Sequence, residues 1–257
     1  MIHQIKSYIT FLRNSTNHHG VHSPFVYDVV TQCLYDKQNY PEYQILKNHR
    51  KALLKDTSKI TVTDFGKGSR VFKLPQRKIA QIAQHAGVTV KRQKLLFKLA
   101  QYFQPKNSLE LGTSLGMGTL AMALGYPKGM VYTIEGCPQT AFAAQKHWES
   151  YTTKNIQLQV MAFEAFFKSN TVKTFDLVYL DGHHDGAKTL DYFEALQPFL
   201  GNNSVLILDD IYWSLEMTQA WQQIVNDPRV TASMDTYQWG LVWFRREQQK
   251  EHFTIRV

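Results

Sequence analysis

The alternation of apolar and polar positions changes rhythm near residue 107, and the two parts predict different structures. Upstream, Ile2, Ile5, Ile9 and Leu12 recur at helical spacing and predict a helix over 2–13. The turn-rich run His18-His19-Gly20-Val21-His22 leads into Ser23-Pro24, an N-cap and first helical residue for a helix reaching Leu34. Residues 56–75 read as loop around Asp64-Phe65-Gly66-Lys67-Gly68-Ser69-Arg70. Helices are predicted over 76–86 and over 90–103, where Leu95, Leu96, Leu99 and Phe103 share one side.

Downstream, short apolar runs alternate with helical stretches. The runs 108–111, 130–134, 156–160, 175–180 and 204–208 are followed by helical patterns at 117–125, 138–151, 163–168, 186–199 and 214–226. Five such β-α units predict a parallel sheet covered by helices on both faces. Two last runs, 230–234 and 240–244, are joined by a short turn and predict an antiparallel hairpin at one edge. The expected fold is therefore a doubly wound, mainly parallel α/β sheet over 88–257. Residues 1–87 form a helical and loop extension, read as a lid or a dimerisation surface.

Composition narrows the setting. The hydrophobic content of 44% suffices for a packed core, and no apolar run approaches the ~20 residues of a membrane span. The N-terminus shows no secretory pattern, so a cytoplasmic location and no membrane partner are expected. Cys33 and Cys137 lack metal-ligand spacing and read as two reduced thiols. Residues 1–98 carry a net charge of +12, against −4 for the rest. That asymmetry suits either a solvated basic surface or an anionic partner. No recognised RNA-binding signature accompanies it.

In open α/β sheets, ligands sit beyond the carboxyl ends of the strands. The chemistry-bearing residues of this chain cluster there. After the first run comes Glu110-Leu111-Gly112-Thr113-Ser114-Leu115-Gly116-Met117-Gly118, a glycine-rich turn opening a helix. Glu110 would repel a pyrophosphate, whereas S-adenosylmethionine (SAM) offers a sulfonium and an ammonium. Glu135, at the end of the second run beside Gly136, is placed to accept both hydroxyls of a ribose. Phe163, after the third, either stacks on an adenine or fills the core. The fourth run ends in Asp181-Gly182-His183-His184-Asp185 and the fifth in Asp209-Asp210. Acids crowded at two strand ends need a cation, donors or solvent to relieve them. Mg²⁺ or Ca²⁺ would suit the oxygens, and Mn²⁺ or Fe²⁺ the nearby imidazoles. One of the two histidines, His184 by preference, could take a proton from an attacking hydroxyl.

Together these motifs resemble the class I SAM-dependent methyltransferases, within them the metal-dependent catechol and caffeoyl-CoA O-methyltransferase type. The resemblance covers roughly residues 88–245 and is strongest in Leu109–Gly112, 133–138, 175–181 and 208–210. It implies a seven-stranded Rossmann-like sheet and SAM as methyl donor. Glu110, Gly112, Ser114 and Gly118 match the cofactor turn, extended by Thr113 and Gly116, and Glu135 with Gly136 matches the ribose position. Asp181, Asp209 and Asp210 match the metal triad (Mg, Mn or Ca), and Asp181 also borders the cofactor and the catalytic centre. Three departures stand out. Asp210 replaces the usual Asn, His184 stands where the family has a catalytic Lys, and Ala162 replaces a polar residue at the adenine position. No counterpart of the family's C-terminal substrate-gripping acid is found. The expectation is an O-methyltransferase for a small hydroxylated acceptor, with metal assistance; dimers are common among such enzymes. An RNA or protein methyltransferase and a non-catalytic SAM-binding module are the rivals.

Overall fold

The computed structural model describes residues 2–63, 74–151 and 153–257. The segment 64–70, singled out above, lies outside them. In chain order the elements are α1 (Ile2–Asn14), α2 (Pro24–Asp28), α3 (Glu42–Lys55), β1 (Lys59–Thr61), β2 (Gln76–Lys78), α4 (Ile79–His85) and α5 (Val90–Phe103). Then follow β3 (Asn107–Leu111), α6 (Met117–Gly125), β4 (Met130–Glu135), α7 (Pro138–Trp148), β5 (Ile156–Val160) and α8 (Phe163–Ser169). The chain ends with β6 (Phe175–Leu180), α9 (Gly186–Leu196), β7 (Leu200–Asp209), α10 (Leu215–Asn226), β8 (Ala232–Asp235), β9 (Trp239–Trp243) and β10 (Glu251–Thr254). Two compact units emerge, Met1–Asp36 with Val172–Val257, and Lys37–Thr171.

In the Lys37–Thr171 unit, β3, β4 and β5 pair in parallel in that order. Each of the last four residues of β3 is buried, Ser108 and Glu110 included, because a parallel strand is covered on both faces. Helix α5 starts where the Thr89 hydroxyl accepts from Arg92 N at 3.3 Å, and buries Leu96, Phe97, Leu99 and Ala100. The short antiparallel pair β1–β2 occurs where the sequence pattern suggested loop and the start of a helix. Charged Lys59, Arg77 and Lys78 hide it from a hydrophobicity pattern.

In the other unit the strand order is β10-β8-β9-β7-β6. Strands β6 and β7 are parallel, whereas β9 runs antiparallel to both β7 and β8, as the hairpin reading required. Among the described residues this order holds one strand more than the sequence pattern gave. The addition is β10, parallel to β8, whose Glu251 and His252 disguise it. Helix α2 is capped by Ser23, whose hydroxyl accepts from Val26 N, and continues as a π-helical turn over Val29–Leu34. Helix α1 forms as predicted, but Ile2, Ile5, Ile9 and Leu12 face solvent. The opposite side packs inward instead: Phe11 and Tyr8 lie against Tyr237, and His3 bonds Thr218 at 2.9 Å. Among the described residues, no helix is long and apolar enough to cross a membrane.

Candidate active site

The turn between β3 and α6 is shaped by backbone geometry that side chains resist. Gly112 has φ 107° and Gly116 φ 73°, and Ser114 adopts φ 48° between them. The Gly112 amide donates to Ile134 O at 3.0 Å, which folds the turn back over the end of β4. Gly116 caps α6, and a Cβ there would lie 2.5 Å from Cζ3 of Trp148. Gly118 is buried in the first turn of that helix, and Thr113 bonds Thr133 at 2.6 Å.

Two acids hold this turn. Glu135 reaches across with both oxygens: Oε2 accepts from Ser114 N and Oε1 from Cys137 N, each at 2.9 Å. Gly136 lies half-buried between them. Glu110 is only 1% exposed, and its Oε2 accepts from the hydroxyls of Thr119 and Thr133, the latter at 2.6 Å. Burial raises its pKa to about 7, with the two threonine hydroxyls working in the other direction. Glu110, which the sequence reading set facing a cationic ligand, is buried with its carboxyl on Thr119 and Thr133. Phe163 is buried at the start of α8.

A pH dependence follows from Glu110. A carboxyl that keeps its proton more tightly when folded favours folding at low pH. That advantage is fully present below the unfolded value and fades as pH rises from about 4.5 to about 7. The full swing is about 3 kcal/mol. Glu110→Gln is therefore expected to gain stability relative to the parent as pH rises from 5 to 8, read by thermal melts. A difference that stays constant over that range would contradict the assignment.

The second cluster gathers at the ends of β6 and β7. Tyr179, two residues before Asp181 on β6, sends its hydroxyl to 3.0 Å from Asp181 Oδ2 and 2.9 Å from Asp209 Oδ2. Asp209 is 3% exposed, and its Oδ1 accepts from the Asp210 amide at 2.8 Å. Asp181 Oδ1 lies 3.8 Å from His184 Nε2, whose ring tilts against Trp213 with centroids 5.4 Å apart. His183 turns elsewhere, its Nδ1 3.2 Å from the Tyr192 hydroxyl. His183, His184 and Asp210 all have positive φ, at 65°, 44° and 49°. Such strain in non-glycine residues costs about 1–3 kcal/mol each and gathers at functional positions. Asp185 is spent on structure, its Oδ1 capping α9 through Lys188 N.

Asp181, Asp209 and Asp210, the residues of the expected metal triad, are engaged with protein partners. Among the described residues, no three His, Cys, Asp or Glu side chains gather closely enough to hold a metal ion. Asp181 and Asp209 approach one phenol, and Asp209 also takes a backbone amide, while Asp210 occupies a left-handed corner stabilised by its own amide's bond to Gln238 O. Tyr179, Thr119 and Trp213 were not foreseen. Tyr179 sits inside the apolar run 175–180, where period and hydrophobicity mark it as core.

Comparison with known proteins agrees with the fold and the motifs. Residues 109–211 match the methyltransferase domain family, a span running from just before Glu110 to just after Asp210. A catechol O-methyltransferase from Niastella koreensis is 30% identical over 124 residues, 46% of this chain and 55% of that protein. Catechol O-methyltransferase domain-containing protein 1 from Mus musculus is 25% identical over 138 residues, 51% of this chain and 52% of that protein. The chain thus spans about half the length of the curated relatives it matches. The SAH-bound methyltransferase PaMTH1 from Podospora anserina superposes with TM-score 0.61 at 16% identity, over 88% of this chain and 97% of that one. The doubly wound, mainly parallel fold with N-terminal helices is shared with it. Residues 109–211 thus match the methyltransferase domain family, and part of the chain is similar to the catechol O-methyltransferases.

Proposed function

We propose that this protein transfers the methyl group of SAM to the hydroxyl of a small acceptor. One observation carries the reading: the methyltransferase match over 109–211 takes in both the glycine turn and the Asp-His cluster. In this reading SAM supplies an electrophilic methyl on a sulfonium, and the chain supplies position and proton transfer.

The Gly112–Gly118 turn and Glu135 hold the donor. The turn approaches closely because glycines stand at its left-handed corners, and the α6 N-terminus follows it. Glu135 fixes the turn through the Ser114 amide at the strand end where a ribose would be bound. Glu110 acts from beneath, as a brace. His184 accepts the proton of the acceptor hydroxyl as its oxygen attacks, and Asp181 steadies the positive charge that the imidazole gains. The C–O bond forms as the C–S bond breaks, with the electron pair leaving on sulfur. No step passes through a metal.

Support for a small acceptor comes from the catechol O-methyltransferase likeness, together with the absence from this sequence of a recognised RNA-binding signature. The test is calorimetry with SAM and with NAD(H), then a screen of catechols and other phenols for methylated product. SAM binding at micromolar Kd with turnover of a phenol is expected. NAD(H) binding without SAM binding would overturn the reading. A Glu135→Ala variant should bind SAM at least tenfold more weakly, because the Ser114 and Cys137 amides lose their shared acceptor.

A further inference from the structure

The strand-end acids Asp181 and Asp209 are the pair for which a shared cation would be the usual relief of repulsion. In this chain the space between them is filled. The Tyr179 Oη lies within hydrogen-bond distance of one oxygen of each, 3.0 and 2.9 Å away. A cation bridging those same oxygens would need to sit about 2.0–2.6 Å from both. It would then compete with the phenol hydroxyl that those oxygens already accept from. Tyr179 is fully buried on β6 and meets Trp239 edge-on with centroids 5.7 Å apart.

We infer that Tyr179 is a built-in substitute for a divalent ion, a phenol clasp that ties the ends of β6 and β7 through Asp181 and Asp209 and closes this position to metals. Its consequence reaches the proposed base. Asp181 meets the phenol through Oδ2 and faces His184 Nε2 with Oδ1 at 3.8 Å. Tyr179 is thus a positioning residue, acting through Asp181 and touching no substrate. This second step rests on the methyltransferase reading; the exclusion of metal does not.

Mn²⁺ titration of the full chain, followed by calorimetry and by water-proton relaxation, tests the exclusion without any turnover. The parent protein is expected to show no saturable Mn²⁺ binding up to 1 mM on the order expected of a carboxylate site. Tyr179→Phe, which removes only the oxygen, is expected to bind Mn²⁺ at least tenfold more tightly than the parent. Saturable micromolar binding by the parent overturns the inference, and that arm stands even if the variant fails to fold. A folded Tyr179→Phe with no gain in Mn²⁺ affinity overturns it as well. For the positioning role, Tyr179→Phe should lower kcat at least tenfold with the KM for SAM unchanged. An unchanged kcat removes that role. Should no acceptor be methylated by any form of the protein, the functional reading fails while the Mn²⁺ result still decides the clasp.

Discussion

Alanine in place of His184 is expected to lower kcat by about 100-fold or more, the range of a lost general base. SAM binding, read by calorimetry, should stay within about twofold. The contrast follows from where the residue's partners lie. His184 faces Asp181 and Trp213, whereas the hydrogen bonds bracing the glycine turn come from Glu135, Glu110 and the threonines. His183→Ala is the control. That imidazole bonds Tyr192 on α9, so its loss should affect kcat by less than a factor of ten. Equal losses in the two variants would mean that the loop is merely held in shape. An unchanged kcat in His184→Ala would remove the base from the mechanism. Asp181→Asn separates charge from geometry. The amide fills the same space and leaves an oxygen toward the phenol, so a large fall in kcat with retained melting temperature would assign the charge a role.

Much of this was legible in the residues, and the parts that were not have physical causes. The β-α rhythm from residue 107 onward survives in the structure, most clearly where β3 and β6 are buried on both faces and so read as compact apolar runs. Glycines 112 and 116 announce their turn because left-handed corners favour them. What periodicity cannot give is direction. The Ile2, Ile5, Ile9 and Leu12 stripe defines a helix correctly, yet its burial depends on partners that no local pattern encodes, and Phe11 wins the inward face. Nor can a pattern tell a carboxylate that meets a ligand from one that braces a turn. Glu110 is an acid at a strand end by sequence; that Thr119 and Thr133 point hydroxyls at it is a tertiary fact. Tyr179 was hidden for the opposite reason. A tyrosine counts as apolar in a strand, and only the register that sets β6 beside β7 brings its hydroxyl to Asp209.

The largest structural penalty should fall at Gly116. Two independent costs meet there. At φ 73° any side chain is strained, by about 1–2 kcal/mol for a residue such as alanine. The new methyl would also collide with the ring of Trp148, itself buried at the end of α7, and forced overpacking costs about 1–3 kcal/mol. Gly116→Ala is therefore expected to lose roughly 2–5 kcal/mol in urea unfolding at unchanged m. In folded protein, SAM affinity should fall more than tenfold, since relief of the clash pushes the α6 N-terminus away from its place at the turn. The two costs can be told apart by a double-mutant cycle with Trp148→Leu. Removing the ring relieves the collision and leaves the backbone strain. The double variant should then be more stable than the sum of the single effects predicts, by about 1–3 kcal/mol. Strict additivity would assign the whole penalty to the left-handed backbone and none to the indole packed against it.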